Sequence, residues 1–151
     1  MISIPQLAEL RLRQFCPEDA LYSEEPEEHG EFLVESIRGI WFLRPVSDPQ
    51  ATCTASIDFD DVSTDCGHAI LSALSLTITK RDGPDDVTRK LGVAPEYIQE
   101  VRSIDSVIYA YRLGGLIIAC SFHRPLTAQS FWSVEITNPK FRDILAFLKP
   151  A

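Results

Sequence analysis

The sequence is short of everything that usually announces a chemistry. It contains no Walker loop, no dinucleotide-binding glycine fingerprint, no G-x-S-x-G elbow and no H-E-x-x-H pair. Readings that need those motifs therefore lose their support. The longest apolar run, "GGLIIAC" from Gly114 to Cys120, falls far below the ~20 residues that span a bilayer. The first residues, "MISIPQLAELRLRQFC", lack a basic stretch followed by an apolar one, so no secretory signal is read and a cytoplasmic location is expected. The four cysteines, Cys16, Cys53, Cys66 and Cys120, lie far apart with no C-x-x-C pair, which favours reduced thiols over a disulfide framework. No linker, repeat or low-complexity segment divides the chain. Residues 1–151 read as a single domain long enough to bury a core.

What is present is ordinary in amount and uneven in distribution. Hydrophobic residues make up 45% and charged residues 24%, the proportions of a globular protein. The net charge of −8 is carried entirely by the first half: Met1 to Ser75 holds 14 acids and 4 bases, and Leu76 to Ala151 holds 8 acids and 10 bases. A field of that sign repels nucleic acid and anionic membranes and speeds encounter with a basic protein. The same charge also serves solubility alone.

Periodicity places the elements. Ile4 to Phe15 reads as a short helix, with Pro5 at its first position and Leu7, Leu10 and Phe15 along one face. "EFLVES" and "GIWFLRP" read as strands with a bend or bulge at Gly39. "ATCTASIDF" alternates, with Cys53, Ala55, Ile57 and Phe59 on one side. "DDVSTDCGH" reads as a loop, and "AILSALSLTITK" ends in a strand facing Leu74, Leu76 and Ile78 one way. In "RDGPDDVTRKLG", Gly83 is the N-cap and Pro84 the first helical residue, with Asp85 and Asp86 at the positive end of the helix dipole and Gly92 just past the last turn. Those carboxylates fill the place a bound phosphate would take. "SVIYAYRLGGLIIACSFH" reads as a hairpin turned at Gly114 and Gly115, with Leu116, Ile118, Cys120 and Phe122 on one face and Ile117, Ala119, Ser121 and His123 on the other. Both faces are apolar near the turn, which marks a central strand covered on two sides. "SFWSVEI" is a further strand, and "NPKFRDILAFLK" a C-terminal helix capped by Asn138. The expected fold is α+β: a mostly antiparallel sheet of about six strands with an N-terminal, a mid-chain and a C-terminal helix.

The segment "GPDDVTRKLGVAPEY…SVIYAYRLGGLIIACSF", residues 83–122, resembles the repeat of beta-lactamase inhibitory proteins and small outer-membrane assembly lipoproteins. The shared pattern is an acid-capped helix ending in Leu-Gly, then "YAY", a glycine turn and an apolar strand. It covers roughly a quarter of the chain. Those families are exported, whereas no signal or lipid-attachment cysteine is read here, and no functional residue carries over. The resemblance implies an architecture that commonly serves protein binding.

Few residues invite chemistry. Cys66 and His68 ("CGH") would make a thiolate nucleophile if the imidazole took the thiol proton, with Asp65 or Asp61 orienting it. Cys66, His68, Cys120 and His123 have zinc-ligand chemistry, but Cys120 and His123 three apart on a strand point to opposite faces. Asp58, Asp60, Asp61 and Asp65 offer hard oxygens for Ca²⁺ or Mg²⁺, without EF-hand spacing, and read as a solvated acidic loop. Trp41, Trp132, Tyr109 and Tyr111 read as core. No cofactor and no metal is therefore expected, and no nucleic-acid or membrane partner. The expected function is a non-enzymatic, acidic protein-binding domain that meets a basic protein through Glu24, Glu25, Glu27 and Glu28 with Asp58, Asp60 and Asp61. Bacterial immunity proteins, which neutralise toxins, share this composition. The alternative is a small cysteine-dependent enzyme using Cys66 and His68.

Overall fold

The computed structural model describes residues 1–15 and 27–147. All strands among them join one antiparallel sheet of eight, in the order β1-β2-β3-β4-β8-β7-β6-β5. The order is that of two meanders laid side by side. The first runs through β1 (Glu27–His29), β2 (Phe32–Ile37), β3 (Ile40–Pro45) and β4 (Thr54–Asp58). The second runs through β5 (Tyr97–Val101), β6 (Ser106–Leu113), β7 (Leu116–His123) and β8 (Phe131–Thr137). They meet where β4 pairs with β8, with Ala55 opposite Ile136 and Ile57 opposite Val134.

Three α-helices among the described residues pack on one face of this sheet. They are α1 (Ile4–Ala8), α2 (Thr64–Ala73) and α3 (Pro84–Leu91). Leu7, Leu12, Ile70, Leu71, Leu74 and Val87 from the helix side form one core with Phe42, Ile57, Ile118, Phe122 and Val134 from the sheet. Each such side chain taken out of water contributes about 1.5–3 kcal/mol. A smaller cluster of Ala110, Ile117, Ala119 and Ile144 lies on the other face, so β7 is buried on both sides as its sequence requires. No helix among the described residues is long and apolar enough to cross a membrane.

The expected count of about six strands is corrected to eight, and the helices to a different set. The short strands β1 and β5 form the two edges; neither has an apolar alternation to betray it. The N-terminal helix ends at Ala8 rather than Phe15. Its last carbonyls are taken by Thr52 N–H and the Arg11 guanidinium, which both reach Ala8 O. Glu35, buried and paired with Arg44 at 2.7 Å, accepts the amide of Leu12 and fixes a 3-10 turn over Leu12–Gln14. The expected loop at "DDVSTDCGH" holds only for Asp60 to Ser63, and α2 starts at Thr64: the Ser63 hydroxyl accepts from Cys66 N at 3.2 Å, and Ile70 and Leu71 face the core. The strand expected to follow does not form. Leu74, Leu76 and Ile78 are buried alternately as read, but in the helix layer, off the sheet.

At the C-terminal end, a 3-10 turn over Ile144–Phe147 replaces the expected helix. Asn138 N–H is held by Cys53 O in continuation of the sheet. Phe141 then lies beside Phe32 and Pro45 while Ile144 lies on Ala110 and Ile117, so the apolar residues spread across the sheet instead of lining one stripe. Helix α3, by contrast, matches its sequence: Gly83 N-cap, Asp86 accepting from Gly83 N at 3.1 Å, and Gly92 left-handed at φ 73°.

Candidate functional site

The helix-free face of the first meander carries an apolar strip with an exposed tryptophan in it. Strand alternation sends Ile37, Ile40 and Phe42 into the core and turns Phe32, Val34, Trp41, Leu43 and Pro45 to the other side. The pairing sets Val34 beside Leu43 and Phe32 beside Pro45, which makes a continuous apolar strip. Trp41 is 41% exposed and Val46, just beyond the strip, is 44% exposed. Trp41 was expected in the core, and the structure corrects that expectation: its neighbours in sequence, Ile40 and Phe42, are the buried ones. The strip opens at one end into a groove of about 470 Å³ walled by Phe32, Pro45, Val46 and Phe141.

The acidic residues singled out in the sequence divide between the two ends of this strip. Glu24 and Glu25 lie outside the described residues, and Glu27 and Glu28 lie on the edge strand β1, with Glu28 exposed. Glu31, on the wall of the groove, adds to that end. Asp58, Asp60 and Asp61 follow the far end of β4. Asp58 shares the face of Ser56, which is paired with Trp41. Strand rise and spacing put the two acidic ends roughly 20 Å apart. They do not merge into one patch: Glu28, opposite Leu33, faces the helix side, while Glu31 and Asp58 stand at the two ends of the apolar strip. Arg38, in the β2–β3 turn, offsets part of the charge at the Asp58 end.

The three aspartates differ in state. Asp58 accepts the amide of Asp60 at 2.9 Å. Burial pushes its carboxyl above the usual range, against that hydrogen bond, and the charges of Asp61 and Asp60 add to the rise. Asp60 is already engaged with His123 Nε2 at 3.0 Å. The His123 ring in turn stacks on Trp132, whose indole N–H donates to Ser106 Oγ at 3.0 Å. Asp61 is exposed, beside the β2–β3 turn at Gly39.

Cys66 and His68 do not form a dyad. Both sit on α2, two residues apart and so turned to different sides of the helix. The Cys66 thiol lies 3.8 Å from Phe15 O, and His68 Nε2 accepts the amide of Lys80 at 3.0 Å. That bond leaves the ring proton on Nδ1 and removes the nitrogen as a base. The four zinc-type residues are likewise scattered, since Cys120 is fully buried in the main core, where burial pushes its thiol up. Tyr111 is also buried, its hydroxyl bonded to Thr88 at 2.8 Å and pushed up to about 12 by burial. Among the described residues, no three His, Cys, Asp or Glu side chains are grouped to hold a metal ion.

No protein-family model matches this chain, and no curated protein does. A solved structure of a DUF4309 family protein (YjgB) from Bacillus subtilis subsp. subtilis str. 168 is similar at a TM-score of 0.43 and 14% identity, over 75% of this chain and 70% of that one. A likeness of that size carries no argument about fold or function.

Proposed function

We propose that this chain is a non-enzymatic, cytoplasmic protein-binding domain whose partner is a basic protein, in the manner of bacterial immunity proteins that neutralise a toxin. The observation that supports the reading is the strip of Phe32, Val34, Trp41 and Leu43, left uncovered by the helices, with Glu31 at one end and Asp58 and Asp61 at the other. An exposed aromatic within an apolar strip provides the kind of anchor that dominates binding energy. Acids at its ends select a basic partner and steer its approach. The composition of the first half and the resemblance of residues 83–122 to inhibitory-protein repeats point the same way.

The test is capture from the native cell by the intact protein and by three variants, with surface charge and association kinetics measured on whatever is held. Trp41→Glu should abolish capture of a basic protein through faster dissociation. Reversal of Glu24, Glu25, Glu27 and Glu28 to lysine, or of Asp58, Asp60 and Asp61, should slow association on the order of tenfold at low salt, with the gap closing near ~1 M. If nothing is captured, or a captured protein is indifferent to Trp41 and to salt, the reading is wrong.

A further inference from the structure

A second concave region lies on the helix-bearing side, where the end of β4, the start of α2 and the β7–β8 loop converge. It encloses about 690 Å³ between Thr64 and His68 of α2, Lys80 and Arg81 of the α2–α3 connection, and Gln129 of the loop, with Asp60 at its rim. That volume falls within the range of small-molecule sites. It shares Arg81 and Ala128 with a neighbouring cavity of about 460 Å³, whose walls include Pro84, Tyr109 and Leu126.

The charge arrangement is what makes the region informative. Two of the carboxylates close to Lys80 and Arg81 are taken by other cations. Asp82 is held by Lys90 at 2.8 Å and Asp86 by Arg89 at 3.1 Å, while Asp60 shares a hydrogen bond of 3.0 Å with His123 Nε2 and Asp85 lines the neighbouring cavity with Arg81. Lys80 Nζ donates to Phe59 O at 3.1 Å, which aims the ammonium without neutralising it and leaves two of its protons unused. The Arg81 guanidinium has no ion pair among the described residues. His68, its Nε2 occupied by Lys80 N–H, offers only a donor from its ring. The hydroxyl of Thr64 and the amide of Gln129 complete a wall rich in donors. Two cations outside any ion pair among the described residues, side by side in a hollow of a protein whose net charge is −8, offer the donors that an oxyanion needs.

We infer that this cleft binds a small organic anion, its phosphate or carboxylate oxygens on Lys80 and Arg81 and its apolar body against Tyr109 and Leu126. The proposal is independent of the strip on the opposite face and stands or falls without it. Phosphate and carboxylate share this donor chemistry, so both classes belong in the test.

The intact protein would be titrated with inorganic phosphate, phenyl phosphate and benzoate, followed by calorimetry and by amide and imidazole NMR shifts. Phenyl phosphate or benzoate should bind and move the His68, Lys80 and Arg81 signals, and the aryl group should improve affinity about tenfold over inorganic phosphate by entering the second cavity. Arg81→Gln, an exposed position with no side-chain partner to lose, should weaken binding by about tenfold or more, and Lys80→Gln likewise. Leu126→Glu should remove the advantage of the aryl group. A phenyl phosphate response without a benzoate response assigns the site to phosphate esters, and the reverse assigns it to carboxylates. Absence of binding by all three probes at about 10 mM overturns the inference. So does binding that Arg81→Gln and Lys80→Gln leave unchanged in proteins shown by circular dichroism to be folded.

Discussion

The two meanders are built alike, four antiparallel strands each, yet they are finished differently. The second is covered twice: helices lie on one face, and the segment carrying Ile144 and Leu145 lies over Ala110, Ile117 and Ala119 on the other. Among the described residues the first carries helices on one face only, and its outer face holds the exposed Trp41 with the half-buried Phe32 and Val34. A strand buried on both faces has every side chain committed to packing. A strand buried on one face has half of them available for a partner. The difference makes the second meander the more fully packed of the two, and the proposed binding would use the open face of the first.

Core truncation should separate the two most strongly. Ile118→Ala in β7 removes a fully buried side chain and should cost about 2–5 kcal/mol. Val34→Ala on the open face of β2 should cost less than about 1 kcal/mol, because no enclosed cavity is left behind. Urea unfolding of both variants decides it, and equal losses would mean that the first meander is as tightly covered as the second.

The hairpin glycines give a smaller contrast. Gly30 in the first meander and Gly114 in the second have nearly the same left-handed backbone, φ 60° and 61°. A Cβ at Gly30 meets nothing within 4 Å, whereas one at Gly114 would lie 2.1 Å from Ile2 O. Gly30→Ala should therefore cost only the conformational strain, about 1–2 kcal/mol. Gly114→Ala should cost about 1–3 kcal/mol more, since the backbone of Ile2 must move. Similar melting temperatures for the two variants would show that the N-terminal segment does not press on the β6–β7 turn.

The smallest effect concerns pH. The folded state holds the Asp58 carboxyl above its usual range, so ionisation is less favourable in the fold than in the unfolded chain. The group therefore lowers stability above the folded pKa, and the penalty fades as pH falls through the carboxylate range. Asp58→Asn, which still presents an oxygen to Asp60 N–H, should raise the melting temperature slightly at pH 7 and leave it unchanged at pH ~3. A variant less stable than the parent at neutral pH would mean that the charge at the end of β4 is favourable as it stands.

The sequence was legible where one signal dominated. Both faces of β7 and the capped helix α3 follow from alternation and from the Gly83, Pro84 and Gly92 positions. It misled where a residue had a tertiary reason. Gly67 looked like a loop residue; it is a helical glycine whose Cβ would lie 2.7 Å from the Phe59 ring, and Ser63 with Asp65 already marked the start of α2. The sequence singled out the acids but not the strip, because an exposed tryptophan on a strand reads the same as a buried one until the opposite face is known. Lys80 and Arg81 carried no signal, since their place outside any ion pair among the described residues depends on Lys90 and Arg89 taking two of the nearby aspartates.

The pairing of β4 with β8 bears on how the chain reaches this state. Ile57 meets Val134 across roughly eighty intervening residues, so the centre of the sheet closes over a long loop, the kind of contact that slows folding. During synthesis, β4 emerges long before its partner, with Ala55 and Ile57 exposed along an unpaired edge. The order of strands thus makes β8, the last of the described strands, the keystone, and a nascent chain halted before Phe131 would present that edge to chaperones or to other copies of itself.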